Sequence, residues 1–398
     1  MCASSSSEPK PVALVDSFTY QKLTLCAHLF REGEVSRVKA LDVCRVLAWT
    51  QNDLAIVGSE RYVSRIQLPK RVSIDRVISI GEGSFIVVGE NNRVYQWNQS
   101  TTQFRDVTHA RSGVLKKTVT LHPGGIAWSS KTNSLVLVDG ETGKLIFKSK
   151  LSGKRKITAI ASVGQDILAV GTSNGRVIAY DRKGLILCSH HLEQGKPIVR
   201  LKGDEVGYLA AQVNGSVMVI RNFQSSKLEV LKKERMSLMP KGRCFQGGLL
   251  LMKQDSSYSN FLSPLRVWDL SNNRSYILQN DKFSEIAYAE FTLGGLVVGG
   301  VGDEINPLKV WDASTGHCLA FTDAVDGGMP ITQDTLGFVL CPESDATLGF
   351  VDVAKGYVTR YEIPHGLTIT DYTSLPNGDI FVASSDGGLY TSPQAQKG

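Results

Sequence analysis

"VWDASTG", residues 310–316, ends an apolar run in a tryptophan, an aspartate and a polar turn, and "VWDLSNN", residues 267–273, does the same forty-three positions earlier. A catalytic pair needs one copy; recurrence at a fixed distance is the mark of a repeat. The pattern of an apolar run closing in a polar turn returns in "RVYQWNQSTTQF" (93–104), "SLVLVDGETG" (134–143), "GRVIAYDRKG" (175–184), "SVMVIRNFQSS" (216–226) and "LGFVDVAKG" (348–356). The marks Trp97, Asp139, Tyr180, Ile220, Trp268, Trp311 and Val351 follow one another at 42, 41, 40, 48, 43 and 40 residues.

Three further short runs rich in β-branched residues surround each mark. Residues 284–322 read "SEIAYAEF", "GGLVVGG", "LKVWDASTG" and "HCLAFT", and residues 155–192 repeat the plan. Short strands broken by Gly, Asn and Asp, with no helical periodicity, predict an all-β chain. Four strands in a period near forty predict the blades of a β-propeller. At these residues the chain resembles the WD40-repeat family, over roughly residues 37–392. The resemblance rests on the two Val-Trp-Asp motifs, with echoes in "YQWNQSTT", "LVDGETGK" and "AYDRKG". The family's Gly-His dipeptide before each repeat is missing, which makes this a divergent member without the usual basis for its buried Asp-His-Ser/Thr-Trp network.

The expected architecture is a single WD40-like β-propeller over residues 12–392, with a disordered leader at 1–11 and a tail at 393–398. Segments beginning near 37, 72, 113, 155, 196, 238, 284, 328 and 366 give nine candidate units. Seven or eight blades being commoner, the expectation is about eight, within seven to nine. The last unit shows three strands, and an early strand, 17–25, is expected to supply its fourth and close the ring.

Trp268–Asp269 and Trp311–Asp312 therefore read as structural marks, with Trp97 and Asp139. The ring packs between blades while the carboxylate accepts turn amides. "DGETGK" (139–144) lacks the spacing of a phosphate loop, and "GEGSFIVVG" (81–89) precedes a strand where a dinucleotide fingerprint would follow one. Seven cysteines without a Cys-x-x-Cys pair, and seven histidines without ligand spacing, give no zinc or other metal site. The thiols fit a reducing compartment, cytosol or nucleus, and no run of eighteen apolar residues predicts a transmembrane helix. No catalytic residue and no cofactor is expected. A metal-dependent propeller hydrolase is the least favoured reading, since no acidic, Asn and His set recurs.

Charge is the informative feature. The net of +6 divides into 36 Lys+Arg against 20 Asp+Glu over residues 1–243, and 8 against 18 over 244–398. In a ring this sets a basic arc beside an acidic one, an oriented field suited to an oppositely charged partner. Basic residues gather where one unit passes to the next: Lys70 and Arg71; Lys116 and Lys117; Lys154, Arg155 and Lys156; Lys196; Lys232, Lys233 and Arg235. These connections share one face of a propeller, so they are expected to form a basic crescent. The turns at 253–264 and 299–307 are lengthened, and bring Tyr258, Phe261, Asp303 and Glu304 as candidate contacts on the acidic side. The expected function is a non-enzymatic scaffold or adaptor subunit of a cytosolic or nuclear complex, binding protein partners. The alternative is RNA or another polyanion on the basic arc, although aromatic side chains for base stacking are absent from it.

Overall fold

A computed structural model describes residues 12–392, apart from 14, 32–36, 43, 59–61, 82, 92, 100, 109–114, 122–124, 131–132, 141, 152–154, 222, 224–228, 235, 239–243, 255–264, 279–284, 292–295, 303–307, 323–337, 343, 353–356 and 376–377. The described residues contain no helix. They form nine sheets, the blades of a β-propeller, within the expected range of seven to nine; the start of the candidate segment near 328 lies outside the described residues.

Blades 1 to 5 are antiparallel meanders whose first strands begin at Arg37, Ile74, Leu115, Ile157 and Ile198. In blade 6 the first strand is broken: Met236–Leu238 and Phe245–Gln246 both pair with Leu249–Gln254. Blades 7 and 9 begin at Glu285 and Ile369. Blade 8 contributes Phe338–Pro342, Thr347–Asp352 and Tyr357–Glu362. The bond from Ile369 N to Asp345 O (2.6 Å) repeats that from Ile74 N to Gln51 O (2.6 Å). Gln51 lies in the turn between second and third strands, so those three strands hold the second, third and fourth places of blade 8.

The core lies between blades. Alternation puts Leu47, Leu54 and Ile56 of blade 1 with Phe85, Val87 and Trp97 of blade 2. Val46, Ala48, Ala55 and Val57 of the same strands face the other way, onto Phe381, Ala383 and Leu389 of blade 9. Middle strands thus bury both faces, which is why they read as continuous apolar runs. The blade 9–blade 1 cluster also closes the ring.

The amino-terminal segment crosses three blades. Val12–Ala13 pairs in parallel with Cys318–Thr322 of blade 7, and Val15–Lys22 in parallel with Tyr357–Glu362 of blade 8. Thr24–His28 then pairs antiparallel with Gly388–Thr391 of blade 9. Of the stretch 17–25, only its end therefore supplies the fourth strand of the last blade, and the rest lies on the outer edge of blade 8. Leu23 is buried between blades 8 and 9, and Leu29 between blades 9 and 1.

The Trp-Asp marks prove to be joints. Trp311, fully buried, packs on Cys244 and Leu251 of blade 6, and Trp268 on Ala210 and Val217 of blade 5. Trp97 faces blade 1 and stacks on Phe85 (centroids 5.0 Å apart, 16° between planes). Asp312 accepts Ser314 N and Oγ, both at 2.7 Å, and Asp269 accepts Ser271 Oγ at 2.6 Å and Asn272 Nδ2 at 2.7 Å. Burial alone would raise these two carboxyls, but the turn hydrogen bonds outweigh it and hold both below the ordinary carboxylate value. Asp139 accepts Thr142 N at 2.6 Å in the same way. It therefore aligns with Asp269 and Asp312, one step on from the tryptophan place, which Val138 fills.

The glycine of "VWDASTG" completes the joint. Gly316, at φ +76°, donates to Asp312 O (2.8 Å), and an added Cβ would lie 2.6 Å from Ile277 O of blade 6. Gly143 and Gly184 seat on blades 2 and 3 in the same manner, against Arg105 and Phe147. The residue met by the turn, Arg105, Phe147 or Tyr276, is in each case paired with the residue one before the tryptophan place: Gln96, Leu137 or Val267. The bonds from Gln96 Nε2 to Gly140 O and from Arg105 to Thr142 O tighten the blade 2–blade 3 joint.

A repeated irregularity escaped the sequence. First strands slip register near their start in six blades, at Ile74/Arg76, Leu115/Lys117, Ile157/Ala159, Ile198/Arg200, Ile286/Tyr288 and Ile369/Asp371. Such bulges increase local twist. Blade 9 also holds a hydrogen-bonded cluster: Ser384 Oγ and Tyr390 Oη (2.8 Å) donate to Asp386, with His28 Nδ1 3.8 Å away. Aspartate, serine and histidine thus meet here, with a tyrosine as fourth member.

Candidate interaction surface

In an antiparallel meander, the connection from a fourth strand to the next first strand lies at the same end as the turn between second and third strands. The bonds from Glu90 N to Ser73 O (2.8 Å), Ser173 N to Lys156 O (2.9 Å) and Ser385 N to Thr368 O (2.9 Å) tie these two sets together. This end forms one face, here called the upper.

Lys70 and Arg71 lie on the upper connection from blade 1 to blade 2, Arg155 and Lys156 on that from blade 3 to blade 4, and Lys196 on that from blade 4 to blade 5. All five are exposed. None joins an ion pair among the described residues, whereas Arg93, Arg182 and Arg221 pair with Asp106, Asp166 and Glu229. Arg71 stands at φ +62°, a conformation that disfavours a long side chain.

Other candidates fall elsewhere. Lys116 and Lys117 belong to the first strand of blade 3, Leu115–Leu121, and Lys232 and Lys233 to the fourth strand of blade 5, Glu229–Glu234, so neither pair sits on a connection. Their runs carry enough β-branched and apolar neighbours to extend the strand past the expected boundary. Lys154, Arg235, Tyr258, Phe261, Asp303 and Glu304 lie outside the described residues. The strand Leu296–Gly302 takes in the first four residues of the lengthened turn at 299–307.

Sequence reasoning did not find a cleft of ≈610 Å³ at the rim between blades 1 and 2. Arg65, Leu68, Lys70, Trp97, Thr102 and Phe104 line it, with no acidic residue among its lining. Among the described residues no three of His, Cys, Asp and Glu come together as metal ligands, and no helix is long and apolar enough to cross a membrane.

No family model matches the chain, and no curated protein matches it in sequence. Solved structures resemble it in fold. BamB from Moraxella catarrhalis is 14% identical with a TM-score of 0.50, over 84% of this chain and 98% of that one. The carboxy-terminal WD40 domain of Sif2 is 13% identical with a TM-score of 0.51, over 94% and 99%. The computationally designed Ika8 protein is 17% identical with a TM-score of 0.51, over 94% and 99%. Nine blades, buried Trp-Asp joints and these likenesses agree: the chain is a β-propeller of WD40-like fold.

Proposed function

We propose that this propeller is a non-enzymatic interaction scaffold, an adaptor subunit of a cytosolic or nuclear complex, whose partner docks on the basic upper connections. The observation that carries the reading is the set of exposed cations, Lys70, Arg71, Arg155, Lys156 and Lys196, on three connections of one face and without ion pairs among the described residues. A cation paired within the chain has its field largely cancelled; an unpaired one projects it and steers a partner. The rigid ring holds the connections at fixed separations, so a partner with matching acidic groups pays little ordering entropy.

Affinity purification with mass spectrometry, at low and high salt, tests this. A partner held by the crescent is retained at low salt, released at high salt, and lost from the Arg155→Glu/Lys156→Glu variant. Partners retained unchanged by that variant sink the reading. Recovery of RNA in place of protein, lost in the same variant, assigns the face to a polyanion.

A further inference from the structure

The cleft between blades 1 and 2 exists because one joint of the ring is left unfilled. At three other joints, those between blades 2 and 3, 3 and 4, and 6 and 7, a large side chain on the fourth strand meets the turn of the next blade: Arg105 on Gly143, Phe147 on Gly184 and Tyr276 on Gly316. The matching residue of blade 1 is Ser64, paired with Ile56 one before Val57. The turn it should meet carries Thr102, at φ +50°, where those three have glycine and the blade 6 turn has Asn273, at φ +51°. A small residue on one wall and a β-branched one on the other hold the joint open, and Trp97 and Phe104 line the gap.

Two more observations say what fits. Val63–Ile66 is the outermost strand of blade 1, with no strand on its free edge among the described residues, and such an edge accepts an added strand. The chain itself shows this form of addition: Val12–Ala13 and Val15–Lys22 lie parallel on the outermost strands of blades 7 and 8. The lining also carries two cations, Arg65 and Lys70, and no acid.

We propose that this cleft binds an extended acidic peptide segment of a protein partner, added as a strand on Val63–Ile66. Its apolar side chains meet Leu68, Trp97 and Phe104, and its carboxylates meet Arg65 and Lys70. The inference rests on the scaffold reading only in naming a protein partner. Cleft and crescent share Lys70 alone, so the two fail separately.

The test uses the full chain and a fluorescein-labelled decapeptide of alternating Val and Glu, followed by fluorescence anisotropy and amide hydrogen exchange. Saturable binding is expected, with new protection at residues 63–70. Arg65→Glu/Lys70→Glu weakens it roughly tenfold or more, as reversal of two contacting charges does. Ser64→Phe, which copies the filled joint of blade 3, abolishes binding without lowering the melting temperature. Arg155→Glu/Lys156→Glu changes it less than about twofold, being remote from the contact. The proposal is overturned if Ser64→Phe binds like the parent or if protection appears away from 63–70. It is equally overturned if an alternating Gly and Glu decapeptide binds as tightly, or a uridine decamer displaces the peptide from the same amides.

Discussion

Asp204, in the turn after the first strand of blade 5, accepts the backbone N–H of Gly248 of blade 6 at 2.9 Å. Its other oxygen takes Val206, Gly207 and Tyr208 N–H at 3.1, 2.8 and 2.7 Å, and the residue is only 4% exposed. One buried carboxylate thus organises its own turn and clips two blades together. Burial raises its pKa, partly offset by the amides. Asp204→Ala leaves those amides without their acceptor and is expected to lower stability by about 3 kcal/mol, read from urea unfolding. A loss below about 0.5 kcal/mol, the size of an ordinary surface change, would show that the clip is dispensable.

Two glycines with nearly the same backbone separate strain from seating. Gly184 has φ +83° and Gly195 φ +77°. A Cβ on Gly184 overlaps the Phe147 ring, while one on Gly195 meets nothing within 4 Å. Gly195→Ala should cost about 1 kcal/mol, the left-handed penalty alone. Gly184→Ala should cost about 1–3 kcal/mol more, because a blade joint must open. Equal losses in thermal unfolding would mean the seating is not tight.

Acid should loosen the Trp-Asp turns. Asp269 and Asp312 have folded pKa values below the ordinary one, so their stabilisation is complete above the unfolded value of about 3.9. It is lost as pH falls through the lower folded values. Asp371 has the opposite sign: burial raises it, against the bond it accepts from Val38 N at 3.0 Å, so its share of stability is present at low pH and lost as pH rises through the folded value. An Asp269→Ala/Asp312→Ala variant should be less stable at pH 7 and show a shallower fall in stability below pH about 4. An unchanged acid limb argues against the turns as its source.

Truncation should act in steps. Removing residues 1–11 touches no described pairing, and the melting temperature should stay put. Removing 1–28 strips the outer strand of blade 9 and takes Leu23 from the blade 8–blade 9 cluster, so the ring should lose several degrees and its exposed edge should promote aggregation. Light scattering during the melt would distinguish a harmless deletion from an opened ring.

The phase of the repeat was legible because it is local. Trp268, Trp311 and their aspartates end strands whose apolar runs and polar turns occupy a few consecutive residues, and period-2 alternation names the faces. Those residues determined the β class and the blade plan, within seven to nine blades; they placed Lys70, Arg71, Arg155 and Lys156 on connections. Lys116 and Lys232 show where local reading ended, since a strand boundary depends on pairing with a neighbour that sequence does not display.

The remainder was decided by contacts between distant segments. That Val15–Lys22 lies on blade 8 while Thr24–His28 closes blade 9 follows from which edges the folded ring leaves open. That Ser64 and Thr102 leave a cleft, where Phe147 and Gly184 close one, follows from two residues 38 positions apart meeting across a joint. Sequence specifies a blade through short-range alternation and turn chemistry. Only the closed ring specifies what each blade meets, because that depends on the shape of its neighbour.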